Sequence, residues 1–535
     1  MLTLAATTAN MYRVLYASTA LGLTIDPAVL QRIKKTTCPT TLDNFKFTLR
    51  DFQAEGVAYL EQHDGRCLLA DDMGLGKTVQ VMAYAHKCKK MPMLVICLNS
   101  LKFNWRNEIC AMTGTQYRIN IVGKKYSQAA IARFKQRYPN VDYSVEPQAG
   151  YDIYICNFNC MHKLVDQLIA LDLKYVAIDE SHKIKNPDAQ RTAAVLKLVN
   201  GEQTVKRNGK RKTEKVGPGV FSVTFISGTP FVNRPRELWT TVNTVGRHLK
   251  EFSTFGKFAF RFCGPQQNRH GTTFDGATNL DQLHQLLSNN IMLRRLKADV
   301  LRELPPKQYV NIALDFDRKD YDTAEAAFDG KVNWTRGIEA MIELGATAPK
   351  SNIEIVAVQK LREIAARAKM PAAVDWIREY TEDGNKLVVF AHNRDVVDYI
   401  VNELEKIEEY KNNVGKIYGG ISDEDRDQVQ YRFQNDAAMT VVVVGNQAGG
   451  VGLTLTAAQG MAIVQLPWTA GDLQQMSDRI YRIGQKGSSV SIYNLVAADT
   501  IEEDFANIIV RKGVVMDAAL DNGRKVNQVD IRLDR

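Results

Sequence analysis

Leu68-Leu69-Ala70-Asp71-Asp72-Met73-Gly74-Leu75-Gly76-Lys77-Thr78 is the stretch that decides the fold. A short apolar run feeds a glycine-rich turn ending in Lys-Thr, which reads as a strand, a phosphate-cradling loop and the start of a helix. Gly74 and Gly76 let backbone N–H groups of the Asp72-Met73-Gly74-Leu75-Gly76 turn approach a polyphosphate. Lys77 can reach the outer phosphates, and the Thr78 hydroxyl can bind Mg2+. The general pattern G-x-x-x-x-G-K-[ST] puts glycine at position 71, where this chain has Asp71. An ordinary glycine turn before a helix is the competing reading, so partner motifs must decide.

At 535 residues the chain is too long for one core, and two to four domains are expected. Hydrophobic residues at 45% and charged residues at 24% describe an ordinary globular protein. The net charge of +9 permits a polyanionic partner without demonstrating one. All eight cysteines precede residue 264 without C-x-x-C or zinc-like spacing, which points to a reducing compartment. Cys156 and Cys160 read as small buried apolar residues rather than a shared metal site. No run is apolar for long enough to span a membrane, and the N-terminus lacks the basic start of a secretory signal.

Apolar runs at 67–70, 93–98, 151–155, 175–180 and 223–228 alternate with amphipathic stretches, the pattern of parallel strands in an α/β layer fold. From Pro235 to Ala366 the segments turn polar and helix-like. Alternation then resumes at 386–393, 414–420, 440–446, 461–468 and 490–497. Two α/β halves joined by a helical middle follow. The segment 201–219, with six basic residues between Lys206 and Lys215, reads as a solvated loop, with phosphate contact as the sharper alternative.

A second signature ends a strand at Val176-Ala177-Ile178-Asp179-Glu180-Ser181-His182. Adjacent carboxylates there suit ATP hydrolysis: Asp179 for the Mg2+ shell and Glu180 to activate water. An acidic turn capping the next helix is the bland alternative.

Together, DDMGLGKT at 71–78 and Asp-Glu-Ser-His at 179–182 resemble the Swi/Snf-type branch of superfamily 2 helicase-like ATPases. Further motifs follow in family order: FTLRDFQAEGVAYL around Gln53, LVICLNSLKFNWRNEI at 94–109, Ser227-Gly228-Thr229-Pro230, LVVFAHNRD at 387–395, QAGGVGLTLTAA at 447–458 and QQMSDRIYRIGQ at 474–485. That branch commonly lacks the first glycine, so Asp71 is no anomaly. The flanks NRPRELW at 233–239 and IMLRRLKADVLRELPPK at 291–307 are similar to the annealing-helicase, HepA-related branch. Lys416-Ile417-Tyr418-Gly419-Gly420 departs from the turn that family members often carry there.

The resemblance implies a fold and a set of roles. Two RecA-like parallel-sheet lobes of the P-loop NTPase fold are expected, with boundaries at 1–45 for an N-terminal addition, 46–245 for the ATP-binding lobe, 246–370 for a helical protrusion, 371–520 for the second lobe and 521–535 for a tail. Gln53 would read adenine. Arg479 and Arg482, three apart on an expected helix, would share a face and reach the γ-phosphate, with Arg482 the arginine finger and Gln475 beside them. Such a finger is worth roughly 10³–10⁵ in rate in related phosphate-transfer systems. Ser227, Gly228, Thr229 and His182 would couple the nucleotide to the other lobe, while Gly449, Gly450, Gly452 and Thr454 would approach a nucleic-acid phosphate. Trp105, Trp334 and Trp468 read as packing residues.

The expected activity is that of a DNA-stimulated, ATP- and Mg2+-dependent translocase on duplex, forked or branched DNA, driving annealing or branch migration. A strand-separating helicase and an ATP-gated DNA clamp are the alternatives. A compact, monomeric, intracellular motor of bacterial or viral type completes the expectation.

Overall fold

The computed structural model describes residues 37–509 and 532–534, apart from 208–209, 229–233, 269–270, 302–306, 345–351 and 446–452 and the single positions 275, 329, 469, 486 and 488. The chain divides into two compact units, 1–300 and 301–535.

Strands of the first unit are β1 (Cys67–Leu69), β2 (Met93–Cys97), β3 (Ile119–Val122), β4 (Val141–Ser144), β5 (Ile153–Asn157), β6 (Tyr175–Asp179), the hairpin β7 (Glu202–Arg207) and β8 (Lys210–Lys215), β9 (Val223–Ile226), the hairpin β10 (Gln266–Asn268) and β11 (Gly271–Thr273), and β12 (Met292–Leu293). Excluding the hairpins, they form one eight-stranded sheet in the order β12-β1-β9-β6-β2-β5-β3-β4, parallel at every pairing. The second unit carries β13 (Lys307–Leu314), β14 (Leu387–Ala391), β15 (Val414–Ile417), β16 (Val441–Gly445), β17 (Gly460–Ile463), β18 (Val490–Ala497) and β19 (Arg532–Asp534). Their order is β15-β16-β14-β17-β18-β13-β19, again parallel throughout.

Parallel neighbours need crossovers, and the crossover helices cover both faces, so the strands are apolar on both sides. β14 shows this residue by residue. Leu387, Val389 and Ala391 pack with Ala373, Val374 and Ile377 of the helix Met370–Thr381 and with Val396, Ile400 and Leu404 of Arg394–Glu405. Val388 and Phe390 point the other way, into a cluster with Ile355, Val358, Leu361 and Ala365 of the helix Ile353–Ala368. Spacings of three and four on the helices meet a spacing of two on the strand.

The stretch 246–370 does not stand apart as a helical region. Its first part ends in β12, which pairs with β1; its later part contains β13, which pairs with β18 along eight residues. The expected limits at 245 and 370 therefore fall inside the two units. The basic segment 201–219 is not an open loop either: Glu202 pairs with Lys215 and Arg207 with Lys210 in an antiparallel hairpin. The β-branched Thr204, Val205 and Thr213 give it strand character that the charge count conceals. Among the described residues, no helix is long and apolar enough to cross a membrane.

His248 lies buried in the first unit, and burial, reinforced by His63 and Arg66, pushes its pKa down to about 4. The unfolded chain takes up this proton near pH 6.5, whereas the folded chain resists it. Stability from this site is thus complete above pH 6.5 and falls as the pH drops toward 4. We expect moving from pH 7 to 5.5 to cost roughly 1 kcal/mol through His248. A His248→Gln variant, followed by thermal unfolding at both pH values, should show a correspondingly smaller drop.

Candidate functional site

Three adjacent strand ends of the first sheet gather the residues selected from the sequence. Leu69 of β1 lies opposite Ile226 of β9, and Ile226 opposite Asp179 of β6, so the glycine loop, Ser227 and Glu180 leave the sheet at one carboxyl edge. In open parallel sheets this edge receives ligands, because helix N-termini face it.

The helix Lys77–Lys87 begins on Gly76 at φ 74° and ψ 43°. A side chain there would be strained and would also collide, since a Cβ at 76 would lie 2.5 Å from the Gln53 amide nitrogen. Gln53 is buried on the helix Asp51–Gln62, donates to Leu75 O at 3.2 Å and accepts from the Arg50 N–H at 3.1 Å, bracing the loop from behind. Lys77 Nζ donates to the carbonyls of Asp71 and Asp72 at 2.7 and 3.0 Å. Desolvation lowers the Lys77 pKa, against the opposing pull of Asp71, Glu180, Asp179 and Asp72. Thr78 is the second residue of the same helix. Gly228 sits against the loop, where a Cβ would lie 2.7 Å from Met73 Cγ and 3.6 Å from Lys77 Nζ.

Asp179 Oδ2 accepts the Trp105 indole N–H at 2.8 Å, and its Oδ1 accepts the Glu180 backbone N–H at 2.9 Å. Desolvation, then repulsion from Glu180, raises the Asp179 pKa to about 6. Glu180 is buried with φ 50° and ψ 50°, a left-handed backbone that costs a glutamate about 1–3 kcal/mol. His182 Nδ1 stands 3.3 Å from Glu180 Oε2 and 3.4 Å from Ser227 Oγ. Desolvation, with Lys183 and Lys185, pushes His182 down to about 3. The imidazole is therefore neutral near pH 7, and its approach to Glu180 is not an ion pair.

In the second unit the structure corrects one expectation. The helix Ala470–Ser477 ends before Arg479 and Arg482, which lie in turns rather than on a shared helical face. The chain tightens there into short-range bonds, Arg479 N to Met476 O and Ile480 N to Ser477 O, while the Arg479 carbonyl accepts the N–H of Leu455. That carbonyl is no longer offered to a continuing helix. Buried Arg479 donates from Nε to Gln475 O at 3.0 Å. Arg482 instead donates to Leu453 O at 3.1 Å and to Thr454 Oγ1 at 2.8 Å. Thr229, Gly449, Gly450 and Gly452 lie outside the described residues.

Known families bear on this arrangement. The SNF2-related domain matches residues 52–205 and 223–340, and the helicase conserved C-terminal domain matches 368–484. The chain belongs to the SNF2-related family. Within that family, the DNA annealing helicase and endonuclease ZRANB3 of Bos taurus is 31% identical over 90% of this chain and 41% of its own. The SWI/SNF-related matrix-associated actin-dependent regulator of chromatin subfamily A-like protein 1 of Xenopus tropicalis is 30% identical over 88% of this chain and 45% of its own. The chain thus spans less than half the length of these two SNF2-related relatives. A Sulfolobus solfataricus SWI2/SNF2 ATPase core solved in complex with dsDNA aligns over 91% of this chain and 98% of its own, at 21% identity and a TM-score of 0.37.

Three functional contacts of this SNF2-related chain escaped the sequence reading. Asp71 is not a spoiled glycine but a buried anchor: Arg295 donates to its Oδ1 from the backbone N at 3.1 Å and from Nε at 3.0 Å, and Gln80 Nε2 donates to its Oδ2 at 3.0 Å. Asp72 accepts the Lys297 N–H at 3.0 Å, and Arg294 donates to the carbonyls of Ala70 and Gly228 at 3.0 and 3.1 Å. Trp105, read as packing, is buried and also donates to Asp179. Sequence signals existed only for the first two, in the odd Asp71 and the Arg294-Arg295 pair directly after β12.

Removing one partner of a buried ion pair leaves an uncompensated charge and costs about 3–5 kcal/mol. We expect Arg295→Ala to lose that much stability of the first unit in denaturant titration. Asp71→Gly, which restores the glycine of the general pattern, should destabilise comparably rather than improve the loop.

Proposed function

We propose that the chain is a DNA-stimulated ATPase that moves along duplex or branched DNA and couples hydrolysis to strand annealing or branch migration. One observation carries this reading: Lys77, Asp179 and Glu180, the residues proposed for ATP hydrolysis, and Ser227 of the proposed coupling segment sit at one carboxyl edge of a parallel sheet in an SNF2-related chain. The annealing output is favoured by the printed name of the ZRANB3 relative.

The donor set fits a magnesium nucleotide. A glycine turn with positive φ at Gly74 and Gly76 leads into the N-terminus of the helix Lys77–Lys87, Lys77 supplies a cation, and Thr78 and Asp179 supply hard oxygen ligands. When bound, Mg2+ would neutralise charge on the outer phosphates. In this reading Gln53, which already holds the loop, reads the adenine edge. Trp105 keeps Asp179 in one rotamer, and Glu180 takes the proton from the attacking water. Neutral His182 between Glu180 and Ser227 links this base to the coupling segment. The proposed finger of the second lobe is Arg482, with Arg479 as the second candidate, and Thr454, whose hydroxyl accepts from Arg482 at 2.8 Å, is proposed to approach a nucleic-acid phosphate. An intracellular, reducing site of action and a monomeric motor belong to the same reading.

The deciding measurement is ATP turnover with single-stranded, duplex and forked DNA and with RNA. Stimulation by duplex or forked DNA is expected, and turnover indifferent to every nucleic acid would overturn the proposal. Fork unwinding without reannealing would move the assignment to a strand-separating helicase. Glu180→Gln should retain ATP binding while turnover falls by at least about 10³-fold. Trp105→Phe keeps an aromatic ring at the site but removes the indole N–H and with it a hydrogen bond to a charged group, worth about 1.5–3 kcal/mol. We expect turnover about tenfold lower at limiting Mg2+, recovering as Mg2+ is raised.

A further inference from the structure

Two thiols lie in contact a short way along the same carboxyl edge. Cys156 is fully buried in β5, and Cys160 is half-buried immediately before the helix Met161–Ile169. Their sulfurs are 3.3 Å apart. The turn between them is fixed by Asn157, whose Oδ1 accepts the N–H groups of Asn159 and Cys160 at 2.9 and 3.2 Å and whose Nδ2 donates to Asn99 Oδ1 at 3.2 Å. Gly123, at φ 93°, leaves the space that Cys160 occupies: a Cβ there would lie 2.5 Å from its sulfur.

The two thiols are chemically unequal. Contact with the Cys156 thiol, aided by the Asn157 region and Lys102, lowers Cys160 to about 7, whereas Cys156 is pushed up. The other half-buried thiols go the opposite way under desolvation: Cys38 is raised as well, and Cys88 and Cys110 go to about 12 and about 11. Near pH 7, Cys160 has thiolate character that those three lack, and it is the more exposed member of its pair.

We propose that Cys156 and Cys160 form a peroxide-oxidisable dithiol, a reversible modification site in which Cys160 is attacked first and Cys156 resolves it into a disulfide. The Cys160 thiolate attacks one oxygen of hydrogen peroxide, the O–O bond breaks, and the hydroxide released takes up a proton as water, leaving a sulfenic acid. The Cys156 sulfur then attacks the sulfenic sulfur. The S–S bond forms, the S–O bond breaks, and the departing hydroxide leaves as water with the Cys156 proton. Two thiols thereby surrender two electrons, and one peroxide becomes two waters. The sulfurs need close only from 3.3 Å to about 2.05 Å, within reach of a small shift of the helix start.

Both cysteines fall in one tryptic peptide, Tyr138–Lys163, so the test is direct. The full reduced chain is treated with hydrogen peroxide at pH 7, alkylated, digested and weighed. We expect this peptide to lose two hydrogens and carry no alkyl group, at a rate at least about tenfold above oxidation of Cys88 or Cys110. Cys156→Ser should instead trap a dimedone adduct on Cys160, and Cys160→Ser should leave Cys156 alkylated. Full alkylation of both cysteines in the peroxide-treated native chain, or oxidation no faster than at Cys88 and Cys110, would overturn the proposal. Neither outcome depends on the ATPase assignment.

Discussion

A buried carboxylate and a guanidinium from 224 residues further along the chain give the glycine loop its shape. Asp71 alone at zero exposure would be intolerable, because an unpaired charge in that setting loses its hydration without return. Arg295 meets it with backbone N–H, Nε and Nη2 across both oxygens, and Gln80 shares Oδ2. Once that pair is in place, the carbonyls of Asp71 and Asp72 face Lys77, and Arg294 ties Ala70 to Gly228. The short strand β12 is what delivers both arginines to the correct side of β1. A general phosphate loop uses glycine for close approach at its first position; this chain uses a carboxylate to fasten the loop to its own sheet.

The same economy appears around Asp179. Its two oxygens take an indole N–H from one side and a backbone N–H from the other, so the carboxylate cannot swing away from the edge. The helix that carries Trp105 begins just past β2, where LVICLNSLKFNW resembles a nucleic-acid-contacting motif. One helix thus fixes the Asp179 carboxylate from a neighbouring strand.

Much of this was legible in the sequence, and the failures have physical reasons. Ten apolar runs named nine inner strands and the edge strand β15, because parallel strands covered on both faces cannot hide their composition. β3 and β4 were missed because Asn120 and Asp142 interrupt short strands toward the sheet edge. β13 was read as part of a helical middle, yet its central Asn311 is satisfied inside the sheet by Asn494, a cross-strand pairing no local pattern announces. Lys77, Asp179 and Glu180 were found because the chemistry demands those residue types at strand ends. Arg295 and the indole of Trp105 were not, since their partners are set by the fold. The shared helical face of Arg479 and Arg482 failed for the same cause: a backbone bond to Leu455 stops the helix early.

The position of β12 also sets an order of events during synthesis. β1 emerges near residue 67, but the side chain that neutralises Asp71 and the strand that flanks β1 lie at 292–295. A ribosome must therefore release nearly the whole of the first unit before its nucleotide loop can settle, and until then Asp71 stays hydrated and the edge of β1 open. Any fragment cut at the apparent end of the first alternating half, near residue 245, would carry every loop residue and lack the clasp that shapes them.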